Sequence, residues 1–332
     1  MRRETSLYIM AVILLFGLDS LRARSAVPKP EKKETIAHLF LDMERPLGAK
    51  EAHRAYLDSL IERARAKIGA VSISDTAGGV EILKKIDALL RDEGFRFKSN
   101  YLLFRGLENR SIDCDNYSAL YVAIGESLGI PIVPVYAPNH SFLRVYFNDG
   151  SYMNWEATKG MSLPDVYFIE NLHIEDSSLR SGVYMRTLTR KEFIGVEYNN
   201  MGAFLMTAGR YADAIPYFGR AIGLYPLFSS AYHNRGSSSY AMGRLDTARD
   251  DLQEAKRLDP GRASTRNTLG DIHFDRKEYD RAVEEYLESI RLDPCFYVPY
   301  RSIGLIMRAR GDGAGASKWL RKAEEVKKKK CY

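Results

Sequence analysis

The chain has 332 residues, of which 45% are hydrophobic and 28% charged, with a formal net charge of +6. These values belong to a soluble globular protein long enough for two domains with ordinary cores. The positive excess is modest and mixed in sign along the chain, so no nucleic-acid partner is expected.

Arg2 and Arg3 precede an apolar run from Leu7 to Leu18, and small residues follow at Ala23, Ser25 and Ala26. That is the pattern of a secretory signal over residues 1–26, with 27–33 as a linker. The run is short for a membrane span, which needs about 20 apolar residues. The expectation is export to a bacterial periplasm or the extracellular space. The alternative is an uncleaved N-terminal segment acting as an anchor. After cleavage no stable membrane span is expected.

Residues 34–65 have helical periodicity, broken at Pro46-Leu47-Gly48. Val80 to Leu90 reads as a second amphipathic helix, closed by Gly94, and Tyr101 to Asn109 is ambiguous. Leu120, Ile124 and Leu128 then form one apolar stripe of a helix, with Asp113 and Asp115 at its start and Gly129-Ile130-Pro131 at its end. Three strand-like runs follow, at Ile132 to Tyr136, Ser141 to Phe147 and Ser151 to Trp155. Asn148-Asp149-Gly150 is a strong hairpin turn.

Three residues in this stretch suit nucleophilic acyl transfer: Cys114 in the first turn of the helix, His140 at the start of one strand and Glu156 at the end of its hairpin partner. The position of the turn makes His140 and Glu156 neighbours. The imidazole would take the thiol proton and the carboxylate would hold the ring. The helix dipole favours the Cys114 thiolate, whereas Asp113 and Asp115 oppose it unless they cap the helix. The simpler reading of Cys114 is a small buried hydrophobe. No CxxC, HExxH or glycine-rich phosphate loop occurs, so no cofactor or metal is expected.

Beyond residue 194 the sequence repeats every 34 residues. Pro226, Pro260 and Pro294 share one register, and Ala214, Ala248 and Ala282 another. Gly202, Gly236, Gly270 and Gly304 make a third, and Ala221, Ala255, Ser289 and Ala323 a fourth. The pattern resembles the tetratricopeptide repeat over about residues 194–327, as three good units and a weaker fourth. The resemblance implies stacked helical hairpins forming a superhelix over 194–330, with a groove for a protein or peptide. Asn199, His233, Asn267 and Arg301 recur at the same spacing, as a polar ladder along that groove or as ordinary exposed helix positions. Three cysteines are an odd count for an exported chain. Cys295 and Cys331 flank the last helical hairpin, and a disulfide between them is expected in an oxidising compartment.

Residues 102–160 resemble the transglutaminase-like superfamily, through Asp113-Cys114-Asp115-Asn116-Tyr117, Pro138-Asn139-His140-Ser141-Phe142 and Asn154-Trp155-Glu156-Ala157-Thr158. The third member of the family's triad is usually Asp, and here it is Glu156. The resemblance implies an α+β papain-like domain over residues 34–190, with N-terminal helices and a small antiparallel sheet. It also implies a cysteine mechanism, whether proteolysis, amide hydrolysis or transamidation. The combined expectation is an exported acyl-transfer enzyme whose repeats recruit a protein or peptide. The rival is a non-catalytic binding or scaffold protein whose N-terminal domain is a relic.

Overall fold

In the computed structural model, residues 34–69 and 75–329 are described. The expected signal (1–26), the linker (27–33) and Cys331, with its proposed bond to Cys295, lie outside the described residues. Fifteen α-helices and six strands follow in chain order among those described.

The N-terminal part begins with α1 (Ile36–Met43), α2 (Glu51–Ile68) and α3 (Thr76–Asp92). The expected break falls at the Arg45–Leu47 3-10 turn, where Pro46 cannot donate to a longer helix and Gly48 takes φ +124°. Next come β1 (Arg96–Phe97), α4 (Leu103–Asn109) and β2 (Ser111–Ile112), with β1 and β2 parallel. The ambiguous 101–109 stretch is therefore largely helix. Helix α5 (Cys114–Leu128) is capped at its N-terminus by Asp113, whose carboxylate accepts the Asn116 N–H at 3.0 Å. It packs on an antiparallel sheet of order β3 (Ile132–Ala137), β4 (His140–Tyr146), β5 (Tyr152–Glu156) and β6 (Met161–Ser162). The β4–β5 register pairs Leu143 with Trp155, and the 148–150 turn lies where its sequence placed it. Short helices α6 (Asp165–Asn171) and α7 (Asp176–Arg180) lead into the repeats.

Eight helices complete the chain as four hairpins. They are α8 (Arg190–Thr207) with α9 (Tyr211–Leu224), α10 (Ser229–Ala241) with α11 (Leu245–Leu258), α12 (Ala263–Asp275) with α13 (Tyr279–Leu292), and α14 (Tyr297–Ala309) with α15 (Gly313–Lys328). The glycine register explains itself. A Cβ added at Gly202 or Gly270 would lie 2.6 Å from Phe218 or Tyr286 on the second helix of its own hairpin. At Gly236 and Gly304 it would meet Leu252 and Leu320.

A further register was not read from the sequence. The turn within each hairpin needs one left-handed residue, supplied by Gly209, Gly243, Lys277 and Gly311. A side chain in that conformation costs about 1–2 kcal/mol. Lys277→Gly is expected to raise unfolding stability by about 1 kcal/mol, because the strain relieved exceeds the extra freedom given to the unfolded chain. Urea titration of the two proteins checks this.

The apolar core does not stop at the expected domain boundary. One continuous cluster runs from Ile36 through Trp155 to Phe193, Val196, Met201, Tyr225, Phe228 and Leu258. Residues from Thr35 onward form one compact unit. Helix α8 has no solvent stripe of ordinary width. Phe193, Val196, Glu197, Asn199, Asn200, Met201 and Leu205 are all buried, so both its sides are covered.

Candidate functional site

The expected triad residues sit where α5 meets the β4–β5 hairpin. The His140 Nε2 lies 2.6 Å from the Glu156 Oε2, as the turn position requires. The other Glu156 oxygen accepts the Thr158 N–H at 3.0 Å and the Thr158 hydroxyl at 2.5 Å. Burial acts to raise the Glu156 pKa, but the bond and charge of His140 and the two Thr158 donors outweigh it and hold the carboxyl below its usual value. The His140 ring stacks on Phe168, with centroids 6.3 Å apart. A cavity of about 160 Å³ opens beside the pair, lined by His140, Glu156, Lys159, Tyr167, Phe168 and Asn171 among others.

Cys114 is the first residue of α5 and only partly exposed. Its thiol is pushed well above the ordinary value, first by burial and then by the charges of Asp115 and Asp113, with an N–H from the Ser141 backbone acting the other way. The capping role of Asp113 does not remove its influence on the thiol. Asp115 accepts a bond from the Ser141 hydroxyl, and its second oxygen accepts the Asn200 amide at 3.1 Å. The first repeat helix therefore reaches the N-terminus of α5. Among the described residues no cluster of three or more His, Cys, Asp or Glu side chains could hold a metal ion.

The polar ladder divides. Asn199 is buried and accepts the Asn234 amide at 2.9 Å. The His233 Nδ1 meets the Thr265 hydroxyl at 3.0 Å, and burial followed by the charge of Arg262 lowers its pKa to about 3, so the ring is neutral at physiological pH. Asn267 is buried and donates to Asp271 at 3.0 Å. Of the four, Arg301 alone is exposed. Asn199 and His233 thus bond from helix to helix, whereas Asn267 bonds within its own helix, α12.

Residues 205–263 and 263–294 each match a family model described as tetratricopeptide repeat. Residues 205–294 are tetratricopeptide repeats. The chain is 34% identical over 89 residues to the small glutamine-rich tetratricopeptide repeat-containing protein 2 of Mycosarcoma maydis, a match covering 27% of this chain and 25% of that protein. It is 31% identical over 101 residues to the Hsp70-Hsp90 organizing protein 3 of Arabidopsis thaliana, covering 30% and 18%. The chain spans a quarter or less of the length of these relatives. A solved structure of MamA is 30% identical, covering 41% of this chain and 80% of that one, with a TM-score of 0.38.

These findings correct the expectation of a cysteine acyl-transfer enzyme. The curated relatives are repeat proteins, one of them named for organising Hsp70 and Hsp90. The structure adds a physical reason, since a thiol raised by burial and two flanking acids is protonated near neutral pH, and the thiolate is the nucleophile. The features that sequence reasoning missed are contacts between the repeats and the N-terminal part. The chief example is Arg262. It donates to Asp259 at 3.2 Å, to the Ser230 hydroxyl at 2.7 Å and to the Asn139 side chain at 2.9 Å, in the turn just before His140.

Proposed function

We propose that the chain is a non-catalytic scaffold whose tetratricopeptide repeats hold a protein partner. The observation that carries this reading is the match of residues 205–294 to the repeat family. Four stacked hairpins offer a rigid, extended surface of the kind that repeat proteins use for binding. Because α8 is covered on both sides, the partner meets the later repeats, where Arg301 and Arg308 stand exposed on α14. On this reading the N-terminal part is a relic of the transglutaminase-like arrangement, and its present role is structural.

No helix of the described residues is long and apolar enough to cross a membrane. The relatives' names make Hsp70- and Hsp90-type chaperones the first partners to test. Calorimetric titration is expected to show saturable binding to one of them. The double variant Arg301→Glu, Arg308→Glu should weaken it at least tenfold, about 1.4 kcal/mol, while Cys114→Ala leaves it unchanged. Binding lost in Cys114→Ala but kept in the double variant would overturn the scaffold reading.

A further inference from the structure

Among the described residues, the seam between the N-terminal part and the repeats contains two carboxyls that no cation bridges. Glu44, just after α1, is fully buried, and its two oxygens accept the N–H groups of Leu103 at 2.6 Å and Phe104 at 2.8 Å. It thereby caps the start of α4 from 59 residues upstream. Glu197, on α8, is fully buried as well, and no N–H or hydroxyl donor reaches either of its oxygens. The polar group that it meets is the Glu44 carboxyl. Two carboxyls can bond to each other only when one carries a proton, and an ionised Glu197 at this place would be a buried charge without a partner.

We propose that Glu44 and Glu197 share a proton, and that this proton latches the first repeat helix to the N-terminal part and releases it as pH rises. Every ionisable neighbour that acts strongly on the pair is acidic. Asp113 and Asp115, from α5, both add negative charge at Glu197, and Asp113 itself feels Glu44. Cys114 lies between these two acids, and beyond them the hairpin brings His140 against Asp115 and Glu156 against the thiol. The guanidinium on the adjoining helix α4, that of Arg105, lies over the rings of Phe204 and Phe104, at 4.6 and 5.9 Å.

The direction follows from linkage. Burial, against the opposing bonds from Phe104, Glu197 and Leu103, raises the Glu44 pKa from 4.5 to about 7, and burial with the Glu44 charge raises Glu197 well above its usual value. The folded state therefore binds protons that the unfolded state has released. The contribution is complete below about pH 4.5, begins to be lost as pH rises through about 7 at Glu44, and falls further as Glu197 gives up its proton.

The test is hydrogen exchange of the α1 and α8 backbone on the full chain between pH 5 and 9, corrected for intrinsic rates. In the wild type the opening constant at this seam should rise with pH, by at most about tenfold per unit for one shared proton. In Glu197→Gln, which keeps a donor to Glu44 but does not titrate, the rise should be clearly shallower, leaving the part that Asp113 and Asp115 set. Equal slopes in the two proteins would overturn the proposal. Infrared spectroscopy of the same two proteins gives a second reading. A protonated-carboxyl C=O band should be present at pH 6, fade toward pH 9 and be weaker in Glu197→Gln, and its absence at pH 6 would equally overturn the proposal.

Discussion

Arg262→Ala should destabilise the protein by about 3–5 kcal/mol, the usual cost of removing one partner of a buried ion pair. The Arg262 and Asp259 side chains are 9% and 8% exposed, so water cannot replace the lost partner. Asp259 would keep only the Tyr184 hydroxyl, at 2.6 Å. Ser230, which also meets the Tyr136 hydroxyl at 2.7 Å, and Asn139 would each lose a charged donor. Arg262→Lys should recover only part of the loss, because an ammonium cannot span three acceptors as the guanidinium does. Adding Asp259→Asn to Arg262→Met should recover more, since no unpaired charge then stays buried. Urea unfolding followed by far-ultraviolet dichroism reads all four proteins. A loss below about 1 kcal/mol for Arg262→Ala would mean that the network contributes like a surface pair.

Trp155→Ala is expected to cost a similar about 3–5 kcal/mol, through a different term. Trp155 is the largest fully buried side chain, and it faces Leu143 across the β4–β5 ladder. Truncation removes transfer energy and leaves a cavity between α5 and the sheet. The indole N–H also donates to the Tyr121 hydroxyl at 3.3 Å, which would lose that donor. Trp155→Phe should fall between wild type and Ala. The chain has two tryptophans, so in both variants the half-buried Trp319 of α15 reports on the last repeat alone. If its emission is native while the melting temperature drops, the damage is confined to the sheet side.

What the sequence disclosed, and what it hid, follows from the range of the interactions. The turn at 148–150 was enough to bring His140 beside Glu156, because a hairpin register is a local property. Registers of glycine and alanine at a fixed period disclosed the repeats, because each small residue answers to its own hairpin partner. The helix at Leu103–Asn109 stayed ambiguous because the carboxylate that caps it comes from Glu44. Arg262 reads as one more loop arginine until Asn139, 123 residues away, is placed against it. The state of the Cys114 thiol is set by more than its sequence neighbours. Burial, which depends on the whole fold, pushes it up first, and the two flanking acids add to that.

Helix α8 gives the N-terminal part a structural task. A solenoid needs a polar outer face at each end, or its last apolar surface invites another chain. At the far end α15 provides one, with Lys318, Arg321, Lys322 and Lys328 exposed. At the near end Phe193, Val196 and Met201 have no such dress of their own, and the N-terminal part covers them. That part therefore acts as a stopper. It closes one end of the array to further stacking, and repeats cut free of it would begin with a bare apolar edge.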